Sequence, residues 1–279
     1  MWYPFLVVFF DVITLVATKR LFVKFKQINY RSFAWWLFIW IIVISLALSP
    51  WFFHIDLMAL SHQYLWWLLA LTFLAANYNL LLYYGLKYEK LGEAEPFLLF
   101  NPLVAVVIAS LFYADERSWH IYVAAGVAGL VLAWSQFQHH QIKLRKPLLS
   151  LLAFAVLYGL EAVAIKHLLA VYSPLALYLI RAVLVVVFLW VLQKGAIQRI
   201  KLKYVPQFLL VAGGAVAASV FLYLSYQTVG IAITAFTLLL SPILIYCLSV
   251  NYLHEKVKLK NLISSAVIVG LVVWLTLTR

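Results

Sequence analysis

Long apolar runs and short charged stretches alternate from one end of the chain to the other. Each apolar run is about the length of a helix that crosses a ~30 Å hydrocarbon core, which takes roughly 20 residues. The pattern predicts ten such spans, at about 2–18, 33–50, 64–86, 92–113, 118–137, 148–169, 174–192, 208–228, 230–252 and 260–277. Several are short or abut through tight loops, as tilted helices allow. Apolar and polar positions do not alternate with a period of two, which excludes a transmembrane barrel. The expected fold is an all-α polytopic membrane protein.

Two stretches share one build. GEAEPFLLFNPLVAVVIASLFY runs from Gly92 to Tyr113, and GIAITAFTLLLSPILIYCLSVN from Gly230 to Asn251. Each carries a proline within its apolar run, Pro102 and Pro242, where a soluble helix rarely tolerates one. Each is followed by acidic residues, Asp115-Glu116 and Glu255, and then by a span with a small-residue step, Ala125/Gly129 and Ala266/Gly270. The two sets are offset by about 140 residues, half the chain. Two copies of one unit, each broken by a proline, are how many secondary transporters are built. The expected organisation is two five-helix repeats, 1–142 and 143–279. An odd number of spans per copy inverts one copy relative to the other. The small-residue steps allow close helix contact within one chain or between two, so monomer and homodimer both remain open.

Charge then sets the orientation. Of the 21 Lys and Arg residues, all but Arg117, Lys166, Arg181 and Arg279 fall in or beside the loops after spans one, three, five, seven and nine. Basic loops face the cytoplasm. Both termini are therefore expected outside, with the chain in the plasma membrane (the cell inner membrane). A net charge of +12 would suit nucleic acid in a soluble protein. Here 67% of residues are hydrophobic, 11% are charged and the mean hydropathy is +1.02, which excludes a soluble domain. The basic residues read as topology determinants beside anionic lipid, and the expected partners are membrane lipids and a small-molecule substrate, not nucleic acid. Cys247 is the single cysteine, so no intramolecular disulfide can form. The N-terminal MWYPFLVVFF lacks a basic n-region and a small-residue cleavage site, and reads as a first span rather than a signal peptide. Tryptophans such as Trp35, Trp51, Trp66 and Trp119 near span ends suit an interfacial belt; some can instead line a cavity.

Ionisable groups inside spans are costly and mark candidate function. Asp11 lies in the middle of span one, Glu161 in the middle of span six, and Arg181 a third of the way into span seven. At ~1.5 Å rise per residue all three reach a similar depth, just outside the midplane. Glu161 and Arg181 are candidate substrate-binding groups, or a fixed pair that clamps two helices. Asp11 has no basic neighbour in its own turn of helix. A carboxyl removed from water favours its neutral form, which makes Asp11 a candidate proton carrier, or else a hydrogen-bonding partner of an adjacent helix. Glu93 and Glu95 open span four, where the helix dipole accommodates acids; Glu95 is the one expected to face the pathway. Uncharged candidates along the pathway are Asn77, Asn79, Tyr83 and Tyr84 on span three, Ser219, Tyr223 and Tyr226 on span eight, and Asn101 and Ser241 before the two prolines. Each proline frees a carbonyl one turn earlier, which bends the helix or serves a ligand. His139-His140 have no further ligand spacing that would support a metal site, and no cofactor is expected.

An ordered set of residues in the second half resembles the EamA domain of the drug/metabolite transporter superfamily. It comprises Tyr158-Gly159, then Ala164-Ile165-Lys166, Ser173-Pro174 with Arg181, Ser241-Pro242, Glu255 and Gly270-Leu271. The first half is similar but drifts: Lys19 corresponds to Lys166 and Gly85-Leu86-Lys87-Tyr88 resembles the close of a third helix, whereas Phe10-Asp11 stands where a Trp-Gly step is usual. The resemblance implies a ten-helix carrier with a central cavity that moves amino acids, other metabolites or drugs. An intramembrane lipid-modifying enzyme, a lipid scramblase or flippase, or a channel is the competing class. The sequence has no His-Glu-x-x-His, no Gly-x-Ser-x-Gly and no filter motif to support one. Acidic groups outnumber basic ones within the spans, which suits zwitterions or organic cations better than phosphorylated solutes.

Overall fold

The computed structural model describes residues 2–25, 27–89, 94, 97–98, 100–136, 145–241, 244, 263, 266–267, 270–271 and 273–274. Glu93, Glu95, His139, His140, Pro242 and Glu255 lie outside the described residues. Among the described residues the fold is all-helical: α1 (Tyr3–Lys24), α2 (Tyr30–Phe52), α3 (His62–Tyr88), α4 (Phe100–Phe112), α5 (Trp119–Gln136), α6 (Lys146–Leu168), α7 (Pro174–Leu192), α8 (Val205–Thr228) and α9 (Gly230–Leu238). The described residues between 263 and 274 are helical as well. Among the described residues five helical stretches are long and apolar enough to cross a membrane: α2, α3, α6, α7 and α8 with the short turn before it. The chain is thus a helical membrane protein of several spans.

Local chemistry explains the helix starts. Proline occupies the first turn of α1, α6, α7 and α8, where its missing amide costs nothing. Asn29 caps α2 by accepting from Arg31 N at 3.1 Å, and Ser173 caps α7 by accepting from Ala176 N at 3.4 Å. α1 runs past its expected end at residue 18 to Lys24. Hydropathy marks where lipid ends, not where the helix ends; Lys and Arg extend a helix well and reach toward the interface.

Packing runs mainly between the two halves of the chain. α1 lies against α8, α3 against α6, α4 against α6, and α2 against α7 and α8. Lipid gives no hydrophobic drive for such contacts, so shape and small residues carry them. Gly214 on α8 shows the tightness: a Cβ there would collide with Thr14 of α1. The loops join across the halves too. At one face Asp56 N donates to Val171 O and Ser173 N to His54 O, both at 2.9 Å. At the other, Gln198 N donates to Ser32 Oγ at 3.0 Å and Trp36 Nε1 to Gln198 O at 3.0 Å.

Candidate functional site

A cavity of about 190 Å³ lies in the middle of the bundle. α1 contributes Val7, Asp11, Thr14, Leu15 and Thr18, residues three and four apart and so on one helical face. Phe5, Phe9 and Arg20, on the opposite face, are exposed on the outside of the bundle. Asp11 is also exposed, and its place on the lining face makes the cavity its surroundings. α3 supplies Tyr78, Asn79 and Tyr83; α6 supplies Phe154, Tyr158 and Glu161; α7 supplies Tyr178 and Arg181; α8 supplies Ser219 and Tyr223. Asn101 and Ser241 complete the polar part of the wall, beside Pro102.

Arg181 and Glu161 form the centre of this wall. They are 3% and 1% exposed, with Arg181 Nη2 2.7 Å from Glu161 Oε1. The guanidinium also donates to Tyr223 Oη at 3.2 Å and to Tyr78 Oη. It lies over the Tyr78 and Tyr178 rings, at 5.6 and 5.5 Å from their centres. A planar cation held by two ring faces, two hydroxyls and one carboxylate is fixed in orientation. Tyr178 sits three residues before Arg181 and Tyr158 three before Glu161, so each shares its partner's helix face. Those two tyrosines, together with Tyr78, Thr14 and Thr18, were not among the expected site residues.

The remaining expected residues divide. Asp11, Glu161, Arg181, Asn101, Tyr223 and Ser241 line the cavity. Asn77, Tyr84 and Tyr226 are not in its wall. Asn77 donates to Phe73 O of its own helix at 2.7 Å; Asn79, two residues on and therefore on another face, is the asparagine of α3 that reaches the cavity. Tyr84 packs against Tyr30 and Tyr88. Tyr226 is buried. Glu95 lies outside the described residues.

A second polar centre joins the halves away from the cavity. Glu116, 1% exposed, accepts from Ile231 N at 2.8 Å and Ala232 N at 3.0 Å, the first amides of α9. Lys166 Nζ, at the end of α6, lies 2.7 Å from Glu116 and 2.8 Å from Asp115. The carboxylate thus caps one helix and neutralises a cation from another. Gly230 makes the approach possible: its φ is +87°, and a Cβ would lie 2.6 Å from Glu116 Oε1. Gly230→Ala is expected to cost about 2 kcal/mol or more, from a left-handed residue plus displacement of the carboxylate. Graded SDS unfolding of the detergent-solubilised protein measures it; a variant as stable as the parent would contradict the arrangement.

Residues 145–277 match the EamA-like transporter family. A solved crystal structure covers 99% of this chain and 96% of its own, with a TM-score of 0.76 at 14% identity, so it shares the fold. No curated protein matches the chain. The family match covers the helices that carry Glu161, Arg181 and Tyr223, and the second half of this multi-pass membrane protein carries an EamA-like transporter family domain.

Proposed function

We propose that the chain is a secondary transporter that exports small organic metabolites such as amino acids, or cationic drug-like compounds, by alternating access, with Asp11 as the proton-coupling group. The observation that carries this is the central cavity, walled by both halves of the chain, with Asp11, Glu161 and Arg181 among its described lining residues. Glu161, Arg181, Asn101, Tyr223 and Ser241 are its proposed substrate contacts, with Glu95 as a further one; Asn77, Tyr84 and Tyr226 would support from outside the wall. At about 190 Å³ it suits metabolite-sized solutes better than large drugs, whose pockets run to ~300–1,000 Å³.

Two inverted five-helix repeats within ten spans are part of the proposal. The packing supports it. Shifting every helix by five positions turns the α1–α8 contact into α6–α3, and both are major contacts. The same shift turns the paired loops at residues 54–56 and 171–173 into the pairing of Gln198 with Ser32 and Trp36 at the other face. Export is favoured by where the cavity reaches. Its lining extends to Thr18 and Leu86, near the ends of α1 and α3 that carry basic loops. With basic loops in the cytoplasm, that is the end from which an exporter loads.

Counterflow in liposomes tests the carrier. A solute found by thermal-shift screening of metabolites and cationic drugs is loaded inside, and its labelled form is supplied outside. A carrier accumulates label transiently; a channel, scramblase or enzyme does not. Asp11→Asn is expected to abolish the response to an imposed pH gradient, and unchanged gradient-driven movement would sink the coupling role.

A further inference from the structure

We propose that the Asp11 side of the cavity is a subsite for a protonated amine, with an apolar or aromatic body lodged against Phe38, Tyr83 and Tyr158. The inference rests on the cavity being the transport site proposed above, and it narrows the choice among zwitterions, cations and anions. Among the described lining residues the ionisable acids and bases are Asp11, Glu161 and Arg181. Glu161 and Arg181 are 2.7 Å apart and neutralise each other. Among the described lining residues Asp11 is then the carboxyl group outside that pair. Asp11 is among the residues that line the cavity, and its carboxylate is acceptor-only when ionised.

An anion would have to approach Asp11 unaided, because Arg181 is already held by Glu161, Tyr78 and Tyr223. An ammonium group brings three donors and the opposite charge. The walls around it are suited to the rest of such a ligand. Phe38, Tyr83, Phe154 and Tyr158 are in the lining, and ring faces attract cations as well as apolar groups.

Equilibrium binding to the purified full chain in nanodiscs tests the subsite, by calorimetry with three probes of one skeleton: 2-phenylethylamine, 2-phenylethanol and phenylacetate. The amine is expected to bind at least tenfold more tightly than either other probe. Asp11→Asn is expected to weaken the amine at least tenfold while melting within a few degrees of the parent. Glu161→Gln gives an independent check: it leaves Arg181 without its counter-ion, so phenylacetate should gain and the amine should lose. Equal affinity for amine and alcohol, preference for phenylacetate in the parent, no amine binding at millimolar concentration, or an unchanged Asp11→Asn would each overturn the subsite. Counterflow reports separately: a protein that binds amines but moves none keeps the subsite and loses the carrier, and a carrier that prefers anions does the reverse.

Discussion

Replacing Glu116 by alanine is expected to cost about 3 kcal/mol of unfolding free energy, at the low end of the roughly 3–5 kcal/mol for breaking one side of a buried pair. Two amides, Ile231 N and Ala232 N, lose their side-chain acceptor, and Lys166 Nζ loses one of its two. The two amides are buried with the start of α9, and an unmade buried hydrogen bond costs the full desolvation of its donor. Lys166 keeps Asp115 and is 19% exposed, which holds the loss below the upper figure. Asp115→Ala provides the contrast. Its side chain is 69% exposed, and a surface partner is worth about 0–1 kcal/mol. SDS titration of both variants measures the difference. Equal losses would show that Glu116 is not the residue on which α9 depends.

The second large effect concerns Arg181 and Glu161. Arg181→Met alone is expected to cost about 3–5 kcal/mol, because it strands the Glu161 carboxylate in a buried site. Adding Glu161→Met should recover most of that, since an apolar pair of similar size often matches a buried ion pair in stability. Both variants are expected to lose solute exchange in counterflow. The double variant therefore separates the two roles that the pair can have. Recovered stability with no exchange marks a transport function; recovered stability with full exchange would mean that the pair only clamps α6 to α7.

The helical, membrane-crossing character of the chain and several residues of the candidate cavity were legible because a membrane imposes a simple code. An apolar run long enough to cross needs a helix, and α7 begins at Pro174 as expected because Ser173 and Pro174 form a start signal that hydropathy alone does not carry. Asp11, Glu161 and Arg181 could be found because charge inside an apolar run is costly. Their aromatic partners were missed for lack of a simple step: Tyr158 and Tyr178 lie three residues before Glu161 and Arg181, on the same faces. The same geometry separates Asn79, in the wall, from Asn77, which is not. The Glu116 centre had no local signal. Its partners Lys166 and Ile231 are far along the chain, and only the folded arrangement of α4, α6 and α9 brings them together.

The cross-half packing has a consequence for how the protein is made. Chains emerge N-terminus first, yet α1 and α3 find their main partners in α8 and α6. The early helices must therefore wait for partners that are made later. The central compartment takes shape only after α8 arrives, so biogenesis ends with the cavity instead of building outward from it.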